Sequence, residues 1–280
     1  RLLPSRMVTC MFISSATNPR IKHAVKLIKQ RNHRAAHGEF VVEGVQAVAE
    51  AVAHGWELRQ LYYHDANVRS DKATEVLDQV ASRLRFELAR PVLTRLSERP
   101  ENPAELIAVI GVPEDDLGRV PISHDMLCLV IEEPRDPGNL GTTIRTADAL
   151  GVGGIVLVGD AVDRYAPKTI RATMGSLFAI PVAHVNDAAG VARWLAVARE
   201  TAPGLQAVAT LPTADVPAHA HDFSGATAIV VGNERRGVSD ELCNICDAAV
   251  SIPMRGSAES LNAAVATSIV VYEACRQRFG

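Results

Sequence analysis

Aromatic residues are scarce in this sequence, at 4% of 280 residues, and there are only five cysteines. The cores must therefore be filled by Ala, Val, Ile and Leu, which make up most of a 48% hydrophobic fraction. The odd number and irregular spacing of the cysteines argue against a disulfide framework and indicate a reducing, cytoplasmic location. No apolar run approaches the roughly 20 residues that a membrane helix needs, so no membrane association is predicted.

Charge is distributed unevenly along the chain. Residues 1–40 contain eight Lys and Arg against one acid, Glu39. Since the formal net charge of the chain is −3, the remaining residues carry about −10. A basic arm on an acidic body is typical of a protein that meets a polyanion at one end, although a solvated basic helix face explains the same charges equally well.

A stretch with two prolines and several charges, residues 111–121, divides the chain into two parts. The predicted organisation is a disordered N-terminal extension over 1–14, a first domain over 15–111, a linker over 112–125 and a second domain over 126–280. The first domain begins with a helix, because Asn18 and Pro19 are typical of a helix start. Apolar and lysine stripes then run side by side along it, Ile21, Val25 and Ile28 beside Lys22, Lys26 and Lys29.

Strands and helices alternate in both parts, which predicts an α/β fold throughout. The first domain is predicted as a small α/β sandwich with strands at 39–42, 58–63, 86–88 and 107–111 and further helices at 44–53 and 72–82. The second is predicted as a mainly parallel sheet with strands at 127–132, 155–158, 179–184, 206–210, 227–231 and 249–252, and helices at 141–150, 168–174, 188–199, 239–247 and 260–277. The final helix is apolar nearly all round, which predicts that it is buried.

Polar residues follow three strands of the second domain, where ligands of such sheets bind. After the first strand, Asn139 occupies an expected helix N-cap and Arg145 follows about two turns later on the polar face. The alternative is that Asn139 only caps the helix and Arg145 only pairs with Glu132, Glu133 or Asp148.

The other two segments are 229–239 and 250–264. Gly232 would let a ligand approach the backbone closely, and Glu234 would accept hydrogen bonds from an arginine or a ligand, or else cap the next helix. Asn262 is predicted one turn into an apolar helix, where an unsatisfied amide costs roughly 1–3 kcal/mol, so it needs partners. A hydrogen-bond network at the helix start explains Ser260 better than it explains Asn262.

These three segments, in this order and spacing, resemble the signature motifs of the SpoU–TrmH family of RNA 2′-O-ribose methyltransferases, of the SPOUT class. They are NLGTTIRTA with Asn139 and Arg145, VGNERRG with Glu234, and IPM…ESLN with Ser260 and Asn262. The resemblance covers 126–280. Within the family, the chain is similar to rRNA methyltransferases that include the thiostrepton-resistance type. Residues 18–55 resemble the substrate-binding domain of many members, a ribosomal-protein-like α/β fold.

The resemblance implies an S-adenosylmethionine-dependent RNA 2′-O-methyltransferase acting on 23S rRNA. Two alternatives stay open, a tRNA 2′-O-methyltransferase and a catalytically silent RNA-binding protein of the same fold. The resemblance also implies a C-terminal trefoil knot and a homodimer. No metal is predicted, and none of the nine histidines shows the spacing that is typical of metal ligands.

The resemblance further implies roles for individual residues. The implied catalytic residues are Asn139, Arg145, Glu234, Ser260 and Asn262. The implied methyl-donor site comprises Thr210, Leu211, Val231, Gly232, Asn233, Glu234, Ile252, Met254, Ser260, Leu261 and Asn262. The implied RNA contacts are Lys22, Lys26, Lys29, Arg31, Arg145 and Arg171.

Overall fold

The computed structural model describes residues 11–257 and 260–279. The strands are β1 (Met11–Ile13), β2 (Glu39–Glu43), β3 (Leu58–Tyr63), β4 (Arg85–Leu88), β5 (Leu106–Gly111), β6 (Leu127–Glu132), β7 (Gly154–Val158), β8 (Val182–Val185), β9 (Gln206–Thr210), β10 (Thr227–Val231) and β11 (Ala248–Val250). The α-helices are α1 (Pro19–Lys29), α2 (Arg31–His37), α3 (Val45–Ala53), α4 (Asp71–Gln79), α5 (Arg90–Leu96), α6 (Pro137–Ala149), α7 (Pro167–Thr173), α8 (Ser176–Ala179), α9 (Ala188–Thr201), α10 (Asp240–Cys243) and α11 (Ala263–Phe279).

The chain folds as two compact units. The first unit comprises the chain up to Pro113 together with Tyr165–Phe178, and the second comprises Glu114–Arg164 and the chain from Ala179 onwards. The segment Tyr165–Phe178, which the predicted boundaries assign to the second domain, packs within the first unit. There the Phe40 ring lies 4.6 Å from that of Tyr165, and the Trp56 indole donates a hydrogen bond to the carbonyl of Phe178.

The first unit contains a five-stranded mixed sheet in the order β1-β4-β3-β5-β2. Its edge strand β1 corrects the prediction of a disordered extension over 1–14, because Met11–Ile13 pairs in parallel with Phe86–Leu88. The Ile13 side chain is buried in the core of this unit, which explains why the segment is ordered. Residues 1–10, the rest of that prediction, lie outside the described residues.

Helix α1 begins as predicted but buries a different face. The Asn18 side chain accepts a hydrogen bond from the backbone N–H of Arg20, with Pro19 in the first turn. The fully buried side chains are Ile21, Ala24 and Leu27, while Val25 and Ile28 are only partly buried. The predicted apolar stripe is therefore wrong by part of a turn, and the three lysines remain exposed.

The second unit confirms the predicted α/β fold with a mainly parallel sheet. Its six strands lie in the order β11-β9-β10-β6-β7-β8, and each neighbouring pair is parallel. The chain runs outward from β6 through β7 to the edge strand β8. It then forms β9, β10 and β11, which lie on the other side of β6 in the same sheet. The strands β6 and β10 meet where the order reverses, which is the place where sheets of this kind bind ligands.

The final helix α11 is buried on one side only. It begins at Ala263, and its inner face includes Ala264, Thr267, Val270 and Val271. In the single chain the outer face is not buried, since Val265, Ile269, Tyr272 and Phe279 are exposed there. None of the helices in the described ranges is both long and apolar enough to cross a bilayer. The implied trefoil knot stays a prediction.

Candidate active site

A cleft of about 960 Å³ opens beyond the carboxyl ends of β6 and β10. These ends lie side by side, with Val231 paired to Ile131. Residues of all three predicted segments line the cleft, including Asn139, Glu234 and Asn262.

Hydrogen bonds join the three predicted segments within this cleft. The Asn262 amide Nδ2 donates to Oδ1 of Asn139 at 2.9 Å, and Nδ2 of Asn139 lies 3.4 Å from Oε1 of Glu234. Residues far apart in sequence thus form one polar network at the edge of the sheet. The network leaves the second carboxylate oxygen of Glu234 available for a further donor, since a carboxylate accepts through both oxygens.

The side chain of Asn139 is available for this network because another residue caps α6. Asp136 is the N-cap, and its Oδ1 accepts from the backbone N–H of Asn139 at 2.8 Å. Pro137 occupies the first turn, where its missing N–H removes no helix hydrogen bond. The expectation that Asn139 itself caps the helix is therefore wrong.

Asn262 lies just before α11 and not one turn inside it. Its Oδ1 accepts from the backbone N–H groups of Ala264 at 2.9 Å and Val265 at 3.3 Å, so it caps the helix while its Nδ2 reaches Asn139. The prediction of a buried amide is wrong, because the helix begins three residues later than predicted and Asn262 is exposed. The neighbouring Ser260 is exposed as well.

Gly232 is required by the chain's own backbone. A Cβ built at Gly232 would lie 2.0 Å from the carbonyl carbon of Gly237 and 2.1 Å from the nitrogen of Val238. The intervening loop is closed by two backbone hydrogen bonds of 2.9 Å between Asn233 and Gly237. The close crossing of two backbone segments thus requires a glycine at position 232, and the approach of a ligand there stays a prediction.

The side chain of Asn233 is committed to holding this loop. It is buried, its Nδ2 donates to the carbonyl of Glu133 at 2.8 Å, and its Oδ1 accepts from the backbone N–H of Arg235. The loop is thus tied both to itself and to the end of β6. This fixes the position of Glu234 at the mouth of the cleft.

Arg145 lies on the exposed face of α6 and is not part of the cleft lining. Two of its expected ion-pair partners are engaged elsewhere. Glu132 accepts from the backbone N–H of Ser239 at 2.8 Å, and Glu133 pairs with Arg135 and Arg236. Within the described ranges, Arg145 makes no side-chain hydrogen bond or ion pair, so its guanidinium can bind an external anion.

The predicted donor-site residues follow three adjacent strands, β11, β9 and β10. The Leu211 N–H donates to the carbonyl of Val250 at 2.9 Å, which joins the ends of β9 and β11. The Thr210 hydroxyl is buried and has no hydrogen-bond partner among the described residues. Nearby in sequence, Ile252 is half-buried, and Met254 and Leu261 are 40% and 37% exposed.

The predicted RNA contacts other than Arg145 lie in the first unit. Lys22, Lys26 and Lys29 are exposed along α1, and Arg31 is exposed at the start of α2. Arg171, on α7, forms an ion pair with Glu98 and lines a cavity of about 550 Å³ in that unit.

Sequence reasoning did not select Arg135, which lies at the mouth of the cleft. Its guanidinium donates to Asp160 at 2.6 Å and to Glu133 at 2.9 Å, and these hydrogen bonds raise the pKa of Arg135. Arg235 and Arg236 line the same cleft. The signal in the sequence was the spacing of Arg135 four residues before Asn139, which brings both to the start of one helix. The carboxylates of Asp136 and Glu234 line the cleft as well, and Arg135 and Arg236 are both paired with Glu133, so the mouth carries charges of both signs.

Comparison with known proteins agrees with this geometry. The model of the SpoU rRNA Methylase family matches residues 126–272, and that of the MRM3-like substrate binding domain matches residues 18–108. The 23S rRNA (uridine(2479)-2′-O)-methyltransferase of Streptomyces viridochromogenes is 39% identical over 264 residues, which are 94% of this chain and 92% of that protein. The 23S rRNA (guanosine(2553)-2′-O)-methyltransferase RlmP of Bacillus subtilis is 32% identical over 261 residues, covering 93% and 97%.

The fold of this chain is also similar to that of a solved structure. The crystal structure of the SpoU methyltransferase AviRb from Streptomyces viridochromogenes in complex with AdoMet is 40% identical and has a TM-score of 0.85, covering 93% of this chain and 98% of that one. The family model spans more than half of this chain and includes the residues that form the Asn139–Glu234–Asn262 network. This chain belongs to the SpoU rRNA methylase family.

Proposed function

We propose that this protein transfers the methyl group of S-adenosylmethionine to a ribose 2′-oxygen of 23S rRNA. The hydrogen-bonded network of Asn139, Glu234 and Asn262 carries the proposal, because it unites the three motifs of the family in one cleft. The names of the two relatives support 23S rRNA and the 2′-oxygen. Since one relative acts on a uridine and the other on a guanosine, the proposal specifies the ribose and leaves the base open.

The loops after β9, β10 and β11 fit the methyl donor. The buried Thr210 hydroxyl can hydrogen-bond a polar group of the donor, and the exposed side chains of Met254 and Leu261 can cover its apolar surface. The other residues proposed to surround it are Leu211, Val231, Gly232, Asn233, Ile252 and Ser260. When bound, the donor supplies an electrophilic methyl group on its sulfonium, and AviRb, which shares this fold, was solved with AdoMet.

The residues of the cleft would position the ribose for an in-line attack. The Glu234 carboxylate, held by Asn139, can accept a hydrogen bond from the 2′-hydroxyl and so orient its oxygen. Asn262 fixes Asn139 and couples this network to the start of α11. Ser260 can contribute a further hydroxyl from the same loop.

Arg145 would act through its charge. A guanidinium keeps its proton in almost any protein environment, so it is a poor base. It can instead bind the phosphate beside the target ribose and stabilise the alkoxide that develops during attack.

The activity can be tested by transfer of labelled methyl groups to three separate RNAs, 23S rRNA, 16S rRNA and tRNA. We expect label in 23S rRNA, recovered after alkaline hydrolysis as an alkali-resistant dinucleotide, because methylation of the 2′-oxygen blocks cleavage of the adjacent phosphodiester. Label in tRNA alone, or in none of the three, would overturn the proposal. A cytoplasmic location is part of the proposal, since rRNA is the proposed substrate.

The three lysines of α1 are proposed to bind RNA phosphates. Replacing Lys22, Lys26 and Lys29 by Ala should weaken RNA binding and flatten the log–log dependence of affinity on salt by about one unit per lysine. Donor affinity should stay unchanged, because the lysines belong to the first unit. RNA affinity is measured by fluorescence anisotropy at a series of salt concentrations.

The control for this experiment removes cations elsewhere on the same unit. Lys72 on α4 and Arg83 in the turn after it are also exposed, so Lys72→Ala with Arg83→Ala should leave the salt slope near that of the wild type. If the control flattens the slope per substitution as much as the lysine variant does, the α1 stripe is only a solvated face.

The protein is also proposed to form a homodimer through α11. Val265, Ile269, Tyr272 and Phe279 recur at helical spacing and are 49%, 40%, 60% and 80% exposed, which gives an apolar stripe that a second copy can cover. Light scattering of the wild type should give twice the mass of one chain, and Ile269→Glu with Tyr272→Glu should give one. Val197→Glu on α9 replaces another exposed apolar residue and should stay dimeric. A monomeric wild type would contradict the proposal.

A further inference from the structure

Three histidine side chains converge in the first unit. His23 lies on α1, and His33 and His37 lie on α2. One ligand nitrogen from each lies within 4.8 Å of the other two, and the ring centroids are 4.0 to 5.0 Å apart. This arrangement corrects the expectation that no histidine shows ligand spacing, because His33 and His37 are four residues apart and share one face of a helix.

The local fold fixes how α1 and α2 meet, and with it the cluster. Gln30 has extended backbone angles and breaks the helix between the two, so that α2 folds back towards His23. The buried guanidinium of Arg34 donates to the carbonyls of Leu27 at 2.5 Å and Ile28 at 3.2 Å. Because these hydrogen bonds join α2 to the end of α1, the packing of the two helices fixes the position of the imidazoles.

Contacts with a carboxylate and with a backbone carbonyl orient two of the three rings. Nε2 of His23 lies 2.6 Å from a carboxylate oxygen of Glu39, and Nδ1 of His37 lies 2.9 Å from the carbonyl of His33. In a neutral ring, each acceptor favours the tautomer with the proton on the contacted nitrogen, which leaves the lone pair on Nδ1 of His23 and on Nε2 of His37. A histidine that donates its other N–H to a carboxylate or carbonyl is the usual arrangement in metal sites.

The third ring is placed to complete a ligand set. Nε2 of His33 lies 3.0 Å from Nδ1 of His23, whereas a tetrahedral ion with metal–nitrogen bonds of 2.0–2.1 Å holds its ligands about 3.3 Å apart. Binding would require the proton of His33 to move from Nε2 to Nδ1.

We propose that His23, His33 and His37 bind a Zn²⁺ ion, or another divalent ion that prefers imidazole, with water in the remaining position. The exposed side chain of His37 leaves the site open to solvent, which provides an entry path. Glu39 holds His23 from behind and contributes negative charge. The ion would join α1 to α2 and so stiffen the helix that carries the lysine stripe.

Binding can be measured by calorimetry with Zn²⁺ on the full chain, purified without a polyhistidine tag and treated with a chelator. We expect one saturable site and, with Co²⁺, visible absorption of a low-coordinate ion. His33→Asn with His37→Asn should weaken Zn²⁺ affinity at least 100-fold and abolish the Co²⁺ spectrum. Glu39→Gln should weaken affinity about 10-fold, because it removes only the partner that orients His23.

Two control variants separate this site from other candidates. His54→Asn changes the histidine that caps the C-terminal end of α3 and also neighbours a carboxylate, that of Glu50 at 3.7 Å, and this variant should bind Zn²⁺ as the wild type does. Cys243→Ser with Cys246→Ser removes two free thiols of the second unit, three residues apart in sequence, and should also leave binding unchanged. Absence of saturable binding at about 100 µM Zn²⁺, or binding that is lost with the cysteines and kept without His33 and His37, would overturn the proposal.

Discussion

Arg145→Ala is expected to abolish methyl transfer to 23S rRNA while leaving the affinity for S-adenosylmethionine nearly intact. Arg145 is exposed on α6, whereas the proposed donor site lies after β9, β10 and β11, so the two functions are separable. The free energy of unfolding should change by at most about 0.5 kcal/mol, as is usual for an exposed residue without a specific contact. The measurements are labelled methyl transfer, donor calorimetry and urea unfolding on the same preparations.

Two further variants make this experiment decisive. Arg145→Lys should restore little activity, because an ammonium cannot reproduce the forked pairing of a guanidinium with a phosphate. Arg193→Ala removes an exposed arginine from α9 of the same unit and should retain full activity. If Arg145→Ala retains activity within a few-fold of the wild type, Arg145 does not take part in the reaction.

Most strands of the second unit could be predicted from sequence, although the strand predicted over 179–184 is Val182–Val185, because α8 ends only at Ala179. Strands such as Leu127–Glu132 and Thr227–Val231 are buried on both faces and therefore appear as continuous apolar runs. Element ends were harder to predict. The helix predicted over 239–247 is only Asp240–Cys243, and the final helix begins at Ala263. Because helix ends depend on local capping partners, a composition pattern defines them poorly.

The residues of the candidate site could be selected from sequence, but their partners could not. Asn139, Glu234 and Asn262 were chosen because they follow strands, and they do meet in one cleft. The hydrogen bond between Asn139 and Asn262 depends on the loop before α11 returning to the start of α6. The local pattern of apolar and polar residues does not predict that these two segments meet.

Long-range packing also decided which side of α1 is buried and which segment joins the first unit. Ala24 and Leu27 are buried because α1 packs against α5 and β2, a face that the spacing of Ile21, Val25 and Ile28 does not reveal. The convergence of His23 with His33 and His37 likewise depends on the break at Gln30. The spacing of four residues between His33 and His37 predicts only that these two side chains lie close together.

The second large effect is expected from Gly232→Ala, which should destabilise the second unit by about 3 kcal/mol or more, at the upper end of overpacking costs. The added Cβ would lie 2.0 Å from the backbone carbon of Gly237, and a backbone atom cannot rotate away as a side chain can. The loop closed by Asn233 and Gly237 would have to open, which would displace Glu234. Urea unfolding should show the lost stability, and donor calorimetry should show that S-adenosylmethionine no longer binds.

Gly225→Ala provides the matched control for this effect. Gly225 precedes the same strand, β10, but a Cβ built there meets no atom within 4 Å. The same methyl group added seven residues earlier, before β10 and not after it, should therefore leave stability, donor affinity and methyl transfer unchanged. Because Gly232 is here required by the chain's own crossing, its substitution should reduce stability even without donor. A Gly232→Ala protein that is as stable as the wild type and fails only to bind the donor would show instead that the glycine makes room for the ligand.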